Sequence, residues 1–288
     1  MTDRVTLRVP AKINLTLDVS ARRADGYHGI RSVMQQVSLY DVIEASRGGR
    51  GGIEVRGCPG IPRGEDNIAY RAAELFFRYT RRPFPVAIAI RKGIPMEAGL
   101  AGGSADAAGT LTALNRLAGG ALTEAELAAL GLELGSDVPF CLAGGAALCE
   151  GRGEKLTPLP PLPGCSILLV KPPQGLKTAE VYRRFDELPQ TPTNYTDAIL
   201  PHLRGGCLAA AASALGNALE PAACDLLPCV AEIRREVAAH SPLGACMSGS
   251  GSAVFAIFDS LVDAQKCADA VSRLGEAYLC GPVGLENT

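Results

Sequence analysis

The stretch IPMEAGLAGGSADAAGTLTALNRL, Ile94–Leu117, decides the fold of this chain. It follows the strand-like sequence VAIAIRK at 86–92 and contains a glycine-rich turn, after which a helix is predicted from about Ser104 to Leu117. Three glycines let the backbone turn tightly and approach a ligand: Gly99, Gly102 and Gly103. Ser104 is predicted to cap the helix, whose free N–H groups and dipole favour an anion. A polyphosphate is therefore the expected ligand of this turn.

The turn differs from two well-known nucleotide-binding motifs. No GK[ST] follows the glycines, as a Walker A loop requires, and the segment lacks the GxGxxG of a dinucleotide-binding fold. Glycine-rich turns are common, so a helix entry without any ligand stays open as the alternative on this segment alone.

A second polar cluster lies near the N-terminus, in PAKINLTLDVSARRADGYHGI, Pro10–Ile30. Strand alternation places Lys12 on one face together with Asn14, Thr16 and Asp18. A lysine there can neutralise a transferring phosphoryl group or keep a neighbouring carboxylate ionised, and a solvated strand face is the alternative. The turn DGYH at 25–28 ends in two groups that can stack on a base and hydrogen-bond it, and an exposed loop is its alternative.

Two further segments carry candidate chemistry. In LGSDVPFCLAGGAALCEGRGE, Leu134–Glu154, Asp137 lies between a glycine-containing turn and an apolar strand, a location that suits a general base or a charge partner for Lys12. A simple turn aspartate is the alternative. The segment MSGSGSAVF, from Met247, predicts a small-residue turn that lets backbone approach a phosphate or the first glycine loop, with a flexible hairpin as the alternative.

Composition narrows the class of protein. The 288 residues are 47% hydrophobic and 20% charged, with 28 Lys+Arg against 30 Asp+Glu and a formal charge of -2. This balance is typical of a soluble globular protein. It argues against a disordered chain and against a polybasic nucleic-acid binder. Charged residues near the start and the absence of an apolar run of roughly 18 residues predict a cytoplasmic protein without a membrane segment. Ten cysteines without CxxC spacing and three histidines predict reduced thiols and no zinc site.

The order of predicted elements gives an α+β fold with two domains. Strands are expected at 5–9, at 13–19 and from Val33, and RGGRGG at 47–52 is predicted to be a hairpin turn. Helices are expected at Asp66–Tyr79, with Asp66 as the cap, and at 123–134, where Thr-Glu-Ala-Glu fits a capping box. The proline-dense LTPLPPLPG at 156–164 predicts a boundary near residue 158, hence domains 1–158 and 159–288. The order β, helices, β, β, α, β beyond it suggests a ferredoxin-like layer.

In this order and spacing the segments resemble the GHMP superfamily of small-molecule kinases. The matching motifs are PAKINL with RRADGYH, DNIAYRA, IPMEAGLAGGSADAA, GSDVPFCLAGGAALCEGRGE, LVKPPQGLKTAEVY, NALEP and MSGSGSAVFAIF. The resemblance implies an N-terminal, ATP-binding domain folded like ribosomal protein S5 and a C-terminal, ferredoxin-like domain on the substrate side. PAKINL with DGYH is similar to the branch that acts on a cytidylated methylerythritol, and it distinguishes the chain from mevalonate, homoserine and galactose kinases.

What the resemblance implies is transfer of the ATP γ-phosphoryl group to the tertiary 2-hydroxyl of this substrate, in non-mevalonate isoprenoid synthesis. Asp137 matches the catalytic aspartate and Lys12 its partner lysine. Mg2+ is implied without identified ligands, as is a monomer or weak homodimer that binds no nucleic acid. The ATP-side residues implied are Asn67, Lys92, Pro95, Met96, Glu97, Ala98, Gly99, Leu100, Ala101, Gly102, Gly103, Ser104 and Ala105. The substrate-side residues are Asn14, near the erythritol, Tyr27 and Tyr182, stacking on the base, His28, for polar recognition, and Ser248 and Gly249.

The glycine loop departs from the commonest pattern of the superfamily. Glu97, Ala101 and Ala105 replace residues that are often Gly or Ala, Gly, and Ser. Ala101 permits a tight turn if its φ is negative, and Glu97 is expected to repel polyphosphate unless it points away. Two rivals remain: a superfamily kinase for another small alcohol, and a nucleotide sensor without activity. DGYH argues against the first, and the presence of Lys12 with Asp137 against the second. An RNA-binding module is weaker still, because the chain has no basic run.

Overall fold

The computed structural model describes residues 3–24, 26–48, 51–57, 61–62, 64–189 and 191–284, which form two β-sheets and the helices packed on them. The strands are β1 (Arg4–Arg22), β2 (His28–Arg47), β3 (Ile53–Gly57), β4 (Val86–Arg91), β5 (Ala146–Gly151), β6 (Lys155–Leu159), β7 (Ser166–Lys171), β8 (Gly216–Asn217), β9 (Gly244–Met247), β10 (Val254–Phe258) and β11 (Glu276–Cys280). The helices are α1 (Ile68–Thr80), α2 (Gly102–Leu117), α3 (Glu124–Leu134), α4 (Val138–Ala143), α5 (Thr178–Glu187), α6 (Tyr195–Arg204), α7 (Leu208–Ser213), α8 (Glu220–Leu226), α9 (Cys229–Ala238) and α10 (Leu261–Val271).

The first sheet is built on two long antiparallel strands, β1 and β2, which pair from Arg4↔Ser46 to Arg22↔His28. Its path is β3-β4-β2-β1-β8, and β5 pairs with β2 and with β6. The expected hairpin at 47–52 is wrong, because β3 pairs in parallel with β4, which lies between β3 and β2. Gly49 and Arg50 of that segment lie outside the described residues. The two predicted N-terminal strands are one strand, β1, whose pairing shifts register after Pro10 and after Asn14.

Helix α2 packs closely on the first sheet because its middle residues are small. A Cβ atom built on Gly109 would lie 2.6 Å from Val9 Cγ1 and 2.9 Å from Ile43 Cγ1, so a larger residue would push the helix away. The predicted cap of α1 is displaced by one residue: Asn67, not Asp66, is the N-cap, and its side chain accepts from the Ala69 N–H. The capping box predicted for α3 is confirmed at Thr123 and Glu126.

The second sheet confirms the ferredoxin-like prediction. Its strands are all antiparallel in the order β11-β7-β10-β9, which is the 4-1-3-2 order of the β, β, β, β elements along the chain. The chain passes from the first sheet to the second between Leu159 and Ser166. Pro158 nevertheless belongs to a strand, because β6 pairs only with β5 and an edge strand tolerates proline. The boundary at 158 stays a prediction, since β8 returns to the first sheet and pairs in parallel with β1.

Two expectations from composition concern the thiols and the helices. Nine of the ten cysteines are free thiols, and Cys58 lies outside the described residues. Across the described part of the chain, every helix is too short or too polar to cross a membrane.

Candidate active site

A cavity of about 890 Å³ lies between the two sheets and brings together most of the predicted site residues. The loop 95–104 forms one wall, and α5 and the turn after β9 form others. The following predicted residues line it: Lys12, Asn14, Tyr27, His28, Lys92, Asp137, Tyr182 and Gly249. Asn67, Ala105 and Ser248 are not part of its wall.

Lys12 and Asp137 meet inside this cavity. The Lys12 side chain is 4% exposed, and its Nζ lies 3.4 Å from Asp137 Oδ2. Nζ also donates to Asn14 Oδ1 at 2.5 Å and to the Gly99 carbonyl at 3.2 Å. The alternative of a solvated strand face is therefore wrong, because Lys12 and Asn14 are buried. The surrounding contacts hold the ammonium in one position.

Asp137 is placed at the start of a helix without being used to cap it. It is the N-cap residue of α4, but its side chain makes no capping hydrogen bond. Its carboxylate is 28% exposed and lines the cavity, so it is open to a ligand there. A carboxylate beside a buried ammonium, with one side facing a cavity, has the geometry of a general base.

The glycine loop enters α2 through a left-handed alanine. Ala101 is the N-cap with φ 57°, and no side chain caps the helix. The prediction that Ser104 is the cap is wrong, since Ser104 lies in the first helical turn. The condition of a negative φ, under which an alanine at 101 was expected to permit the tight turn, is not met. This backbone costs a non-glycine residue about 1–2 kcal/mol. Because no side chain occupies them, the first N–H groups of α2 stay available to an anion.

Glu97 lies in the first part of the loop and also has a left-handed backbone. Its φ is 51°, and its Oε2 lies 2.5 Å from where a Cβ on Gly175 would stand, so the carboxylate lies against Gly175. Its carbonyl accepts from the Leu176 N–H at 3.3 Å. The turn after β9 completes this support, because the Ala253 N–H donates to the Ala98 carbonyl at 3.1 Å. The predicted approach of the late turn to the first glycine loop is confirmed.

Lys92 sits at the base of the loop between two buried carboxylates. Its Nζ donates to Asp106 Oδ2 at 2.8 Å and to Asp41 Oδ2, and Asp41 Oδ1 accepts from the N–H groups of Gly93 and Ile94 at 2.7 and 2.9 Å. Burial raises the pKa of Asp106 to about 7, Lys92 opposes this rise, and Asp41 adds to it. Burial opposes the charge of Lys92, but the two carboxylates raise its pKa. Asp106 Oδ1 is buried without a hydrogen-bond partner.

Asn67 lies apart from this group. Its amide is 2% exposed, and both ends bind backbone: Oδ1 accepts from Ala69 N at 2.8 Å and Nδ2 donates to the Pro62 carbonyl at 2.8 Å. Its contribution to ATP binding stays a prediction.

Aromatic side chains form the other end of the cavity. His28 stacks on Tyr182 with ring centroids 5.0 Å apart, and His28 Nε2 lies 2.7 Å from Asp186 Oδ1. Tyr27 is 54% exposed, and the Arg152 guanidinium lies 4.9 Å from the centre of its ring. Burial, followed by the charge of Asp137, raises the pKa of Tyr182, so its phenol stays neutral near neutral pH. The exposed-loop alternative is wrong for His28, which is 8% exposed.

Ser248 supports the site from behind rather than lining it. It is fully buried, its Oγ donates to the Gly99 carbonyl at 3.0 Å, and it accepts from Asn14 N at 3.3 Å. Sequence reasoning missed several side chains of the cavity: Arg22, Arg152, Thr178, Arg183, Asp186 and Ser250. Arg183 and Asp186 stand outside the quoted motifs. Arg22 and Arg152 stand inside RRADGYH and EGRGE, but nothing in these motifs marks the two arginines as cavity residues, and only the fold brings the four charged residues together. Asp186 is 158 residues from His28.

Comparison with known proteins assigns both the N-terminal and the C-terminal part of the chain to the GHMP kinases. The family described as "GHMP kinases N terminal domain" matches residues 67–145, and "GHMP kinases C terminal" matches residues 200–277. The 4-diphosphocytidyl-2-C-methyl-D-erythritol kinase of Moorella thermoacetica is 46% identical, with 96% of each chain covered. The enzyme of the same name from Pelotomaculum thermopropionicum is 43% identical, again with 96% of each covered.

Solved structures agree with these relatives. A crystal structure of 4-(cytidine 5'-diphospho)-2C-methyl-D-erythritol kinase has a TM-score of 0.83 at 36% identity and covers 97% of this chain and 100% of its own. A homoserine kinase from Cytophaga hutchinsonii has a TM-score of 0.80 at 18% identity, over 99% of this chain and 96% of its own, and shows the fold alone.

The two sheets and the two matching family descriptions define the chain as a GHMP kinase, a class that uses ATP as phosphate donor. Within that class, identities of 43 and 46% over nearly the whole chain decide the family. The chain belongs to the 4-diphosphocytidyl-2-C-methyl-D-erythritol kinase family.

Proposed function

We propose that this protein transfers the γ-phosphoryl group of ATP to the 2-hydroxyl of 4-diphosphocytidyl-2-C-methyl-D-erythritol, a step in the non-mevalonate route to isoprenoid precursors. The observation that carries the proposal is the Lys12–Asp137 pair, 3.4 Å apart, in a cavity with a glycine loop at one wall and His28 stacked on Tyr182 at another. Family membership supports the choice of substrate.

Asp137 is the proposed general base. Its carboxylate takes the proton of the 2-hydroxyl as the oxygen bonds to the γ-phosphorus, and the bond to the β–γ bridging oxygen breaks to release ADP. Lys12 pairs with the Asp137 carboxylate and offsets charge on the transferring group. Its hydrogen bonds to Asn14 and Gly99 fix the ammonium, so the charge is in place before substrates bind. Catalysis is then mostly positioning and electrostatics.

The loop 95–105 is the proposed phosphate cradle. Gly102, Gly103 and Ser104 line the cavity at the uncapped N-terminus of α2, where free N–H groups and the helix dipole attract an anion. Lys92 lies at the base of this loop. We propose that Lys92 and Asn67 contribute to binding the nucleoside part of ATP. Glu97 turns its carboxylate against Gly175, which supports its compatibility with a polyphosphate nearby.

The cytidine end is proposed at the aromatic wall. Tyr27 offers an exposed ring for stacking, and Arg152 above it keeps the ring in the cavity mouth. His28 donates or accepts with one nitrogen while Asp186 holds the other, which fixes how the imidazole meets a base. Tyr182 already stacks on His28, so it supports the imidazole as well as contacting the base. Asn14 and Gly249 complete the side near Lys12.

The residues present fit a Mg2+ ion that arrives with ATP. No group of three or more His, Cys, Asp or Glu side chains suited to a metal occurs among the described residues, and Mg2+ in kinases takes most of its ligands from phosphate oxygens and water. Ser104 supplies a hydroxyl on the cavity wall at the uncapped N-terminus of α2. Bound Mg2+ would neutralise phosphate charge. We further propose a monomer or weak homodimer in the cytoplasm, where thiols stay reduced, and the nine free thiols support this compartment.

A coupled ADP-release assay with Mg-ATP tests the proposal. The cytidylated methylerythritol is offered beside mevalonate, homoserine and galactose, and turnover is expected on the first alone. Turnover on another alcohol would keep the phosphate chemistry but refute the roles of Tyr27, His28 and Tyr182. Absence of turnover on every alcohol would favour a nucleotide sensor.

A further inference from the structure

The segment NALEP, Asn217–Pro221, has no role in the proposed mechanism, yet it reaches the cavity, whose wall includes Leu219. Asn217 ends β8, where it pairs with Leu17 of β1, and the Ala218 N–H donates to the Leu17 carbonyl at 2.8 Å. The same strand β1 carries Lys12. The segment Asn217–Pro221 comes after β7 of the second sheet in the chain. Through β8 it is hydrogen-bonded to β1, the strand of the first sheet that carries Lys12.

The Asn217 side chain is buried and binds only backbone. It is 4% exposed, and its Nδ2 donates to the Met247 carbonyl at 2.8 Å and to the Gly249 carbonyl at 2.7 Å. Its Oδ1 accepts from Leu219 N at 2.9 Å. Glu220 adds a fourth contact, because its Oε2 accepts from Met247 N at 3.0 Å. These contacts fix the turn 248–251 at its start and in its middle.

This turn forms the rear wall around the Lys12 ammonium. A Cβ on Gly249 would lie 3.3 Å from Lys12 Nζ and 3.2 Å from Asn14 Oδ1, so the backbone of the turn is nearly in contact with both. The Gly99 carbonyl accepts from Lys12 Nζ and from Ser248 Oγ. A shift of the turn therefore displaces the partners that orient Lys12.

We propose that Asn217 is a positioning residue for phosphoryl transfer. It holds the turn 248–251 against Gly99 and Lys12, and so keeps the ammonium beside Asp137. Asn217 does not line the described cavity, so it acts through Lys12 and not on a substrate. The inference rests on the proposed function, and it adds a residue to the machinery that the cavity wall does not reveal.

The substitution Asn217→Asp tests this role because it keeps the size and the acceptor but replaces two N–H donors with an oxygen that faces two carbonyls. We expect kcat to fall about 10- to 100-fold, as for a misplacement near 1 Å, with the KM of both substrates within about threefold. Asn115→Asp is the matched control. Asn115 also bridges backbone, through Leu122 N and O at 2.8 and 2.9 Å, but away from the cavity, so its kcat should stay unchanged.

A double-mutant cycle separates positioning from general destabilisation. In a Lys12→Met background, Asn217→Asp should cost little further kcat, because its effect passes through Lys12. Asn217→Ser, which removes the amide without adding charge, should reproduce both results. The inference is overturned by unchanged kcat in both Asn217 variants, by an equal loss in Asn115→Asp, or by losses that multiply in the cycle. Inactivity of the unsubstituted protein on the cytidylated substrate would instead overturn the proposed function.

Discussion

Gly99 is where the two glycine turns touch, and the account predicts that a single methyl group there disables the site. Gly99 has φ 74°, and a Cβ would lie 2.0 Å from the Ser248 carbonyl oxygen and 3.0 Å from Gly251 N. Carbon atoms in contact sit about 3.5–4.0 Å from their neighbours, so Gly99→Ala forces the turns apart by more than about 1 Å. The left-handed backbone adds about 1–2 kcal/mol of strain.

Because the Gly99 carbonyl orients Lys12, this displacement should reach the reacting groups. We expect Gly99→Ala to lower kcat about 100-fold, the cost of a misplacement near 1 Å, and to lower the melting temperature by several degrees. Steady-state ADP release and thermal denaturation measure the two effects.

Gly119→Ala is the control for this experiment. Gly119 has φ 78°, so it carries the same backbone strain, but no atom lies within 4 Å of its added Cβ. The melting temperature of Gly119→Ala should fall, and its kcat should stay unchanged. If Gly99→Ala keeps the kcat of Gly119→Ala, contact between the two turns does not position Lys12, and the reasoning fails.

Three further predictions address the two ends of the cavity and the base of the loop. Tyr27→Ala should raise the KM of the cytidylated substrate far more than that of ATP, because Tyr27 is placed at the aromatic wall; equal effects would remove its stacking role. EDTA should abolish ADP release and added Mg2+ restore it, whereas persistence would exclude the metal. The pKa of Asp106, about 7, exceeds that of an unfolded aspartate, so the folded state binds the proton more tightly. Relative to Asp106→Asn, stability to urea should therefore fall as pH rises from about 4 to 7, by at most about 1.4 kcal/mol per unit; a flat or rising difference contradicts this.

Short sequence motifs predicted the parts of the fold that depend on residues close together in the chain. Thr123 and Glu126 are three residues apart, so their capping box follows from the sequence alone. Asp66 and Asn67 are both good caps, and only the helix register decides between them. The hairpin at 47–52 failed because glycine marks a turn but not the strand that pairs beyond it, and β4 arrives 29 residues after Gly57.

The site residues likewise fall into those that a sequence motif marks and those that only the fold brings together. Lys12 and Asp137 stand in motifs that indicate chemistry at their positions. Asp186 stands in no motif, and Arg152, although inside EGRGE, is not marked as a site residue until the fold brings it to Tyr27. The left-handed Ala101 was not predictable either, since an isolated alanine avoids that backbone and only the packing of the two turns can impose it.

The central claim is that Asp137 takes the hydroxyl proton beside Lys12. Single-turnover phosphoryl transfer by Asp137→Asn, with Mg-ATP and the cytidylated methylerythritol, tests it most directly because product release is excluded. The account predicts a rate lower by about 100-fold or more, with the melting temperature and the affinity for both substrates preserved. A rate near that of the unsubstituted protein would contradict it.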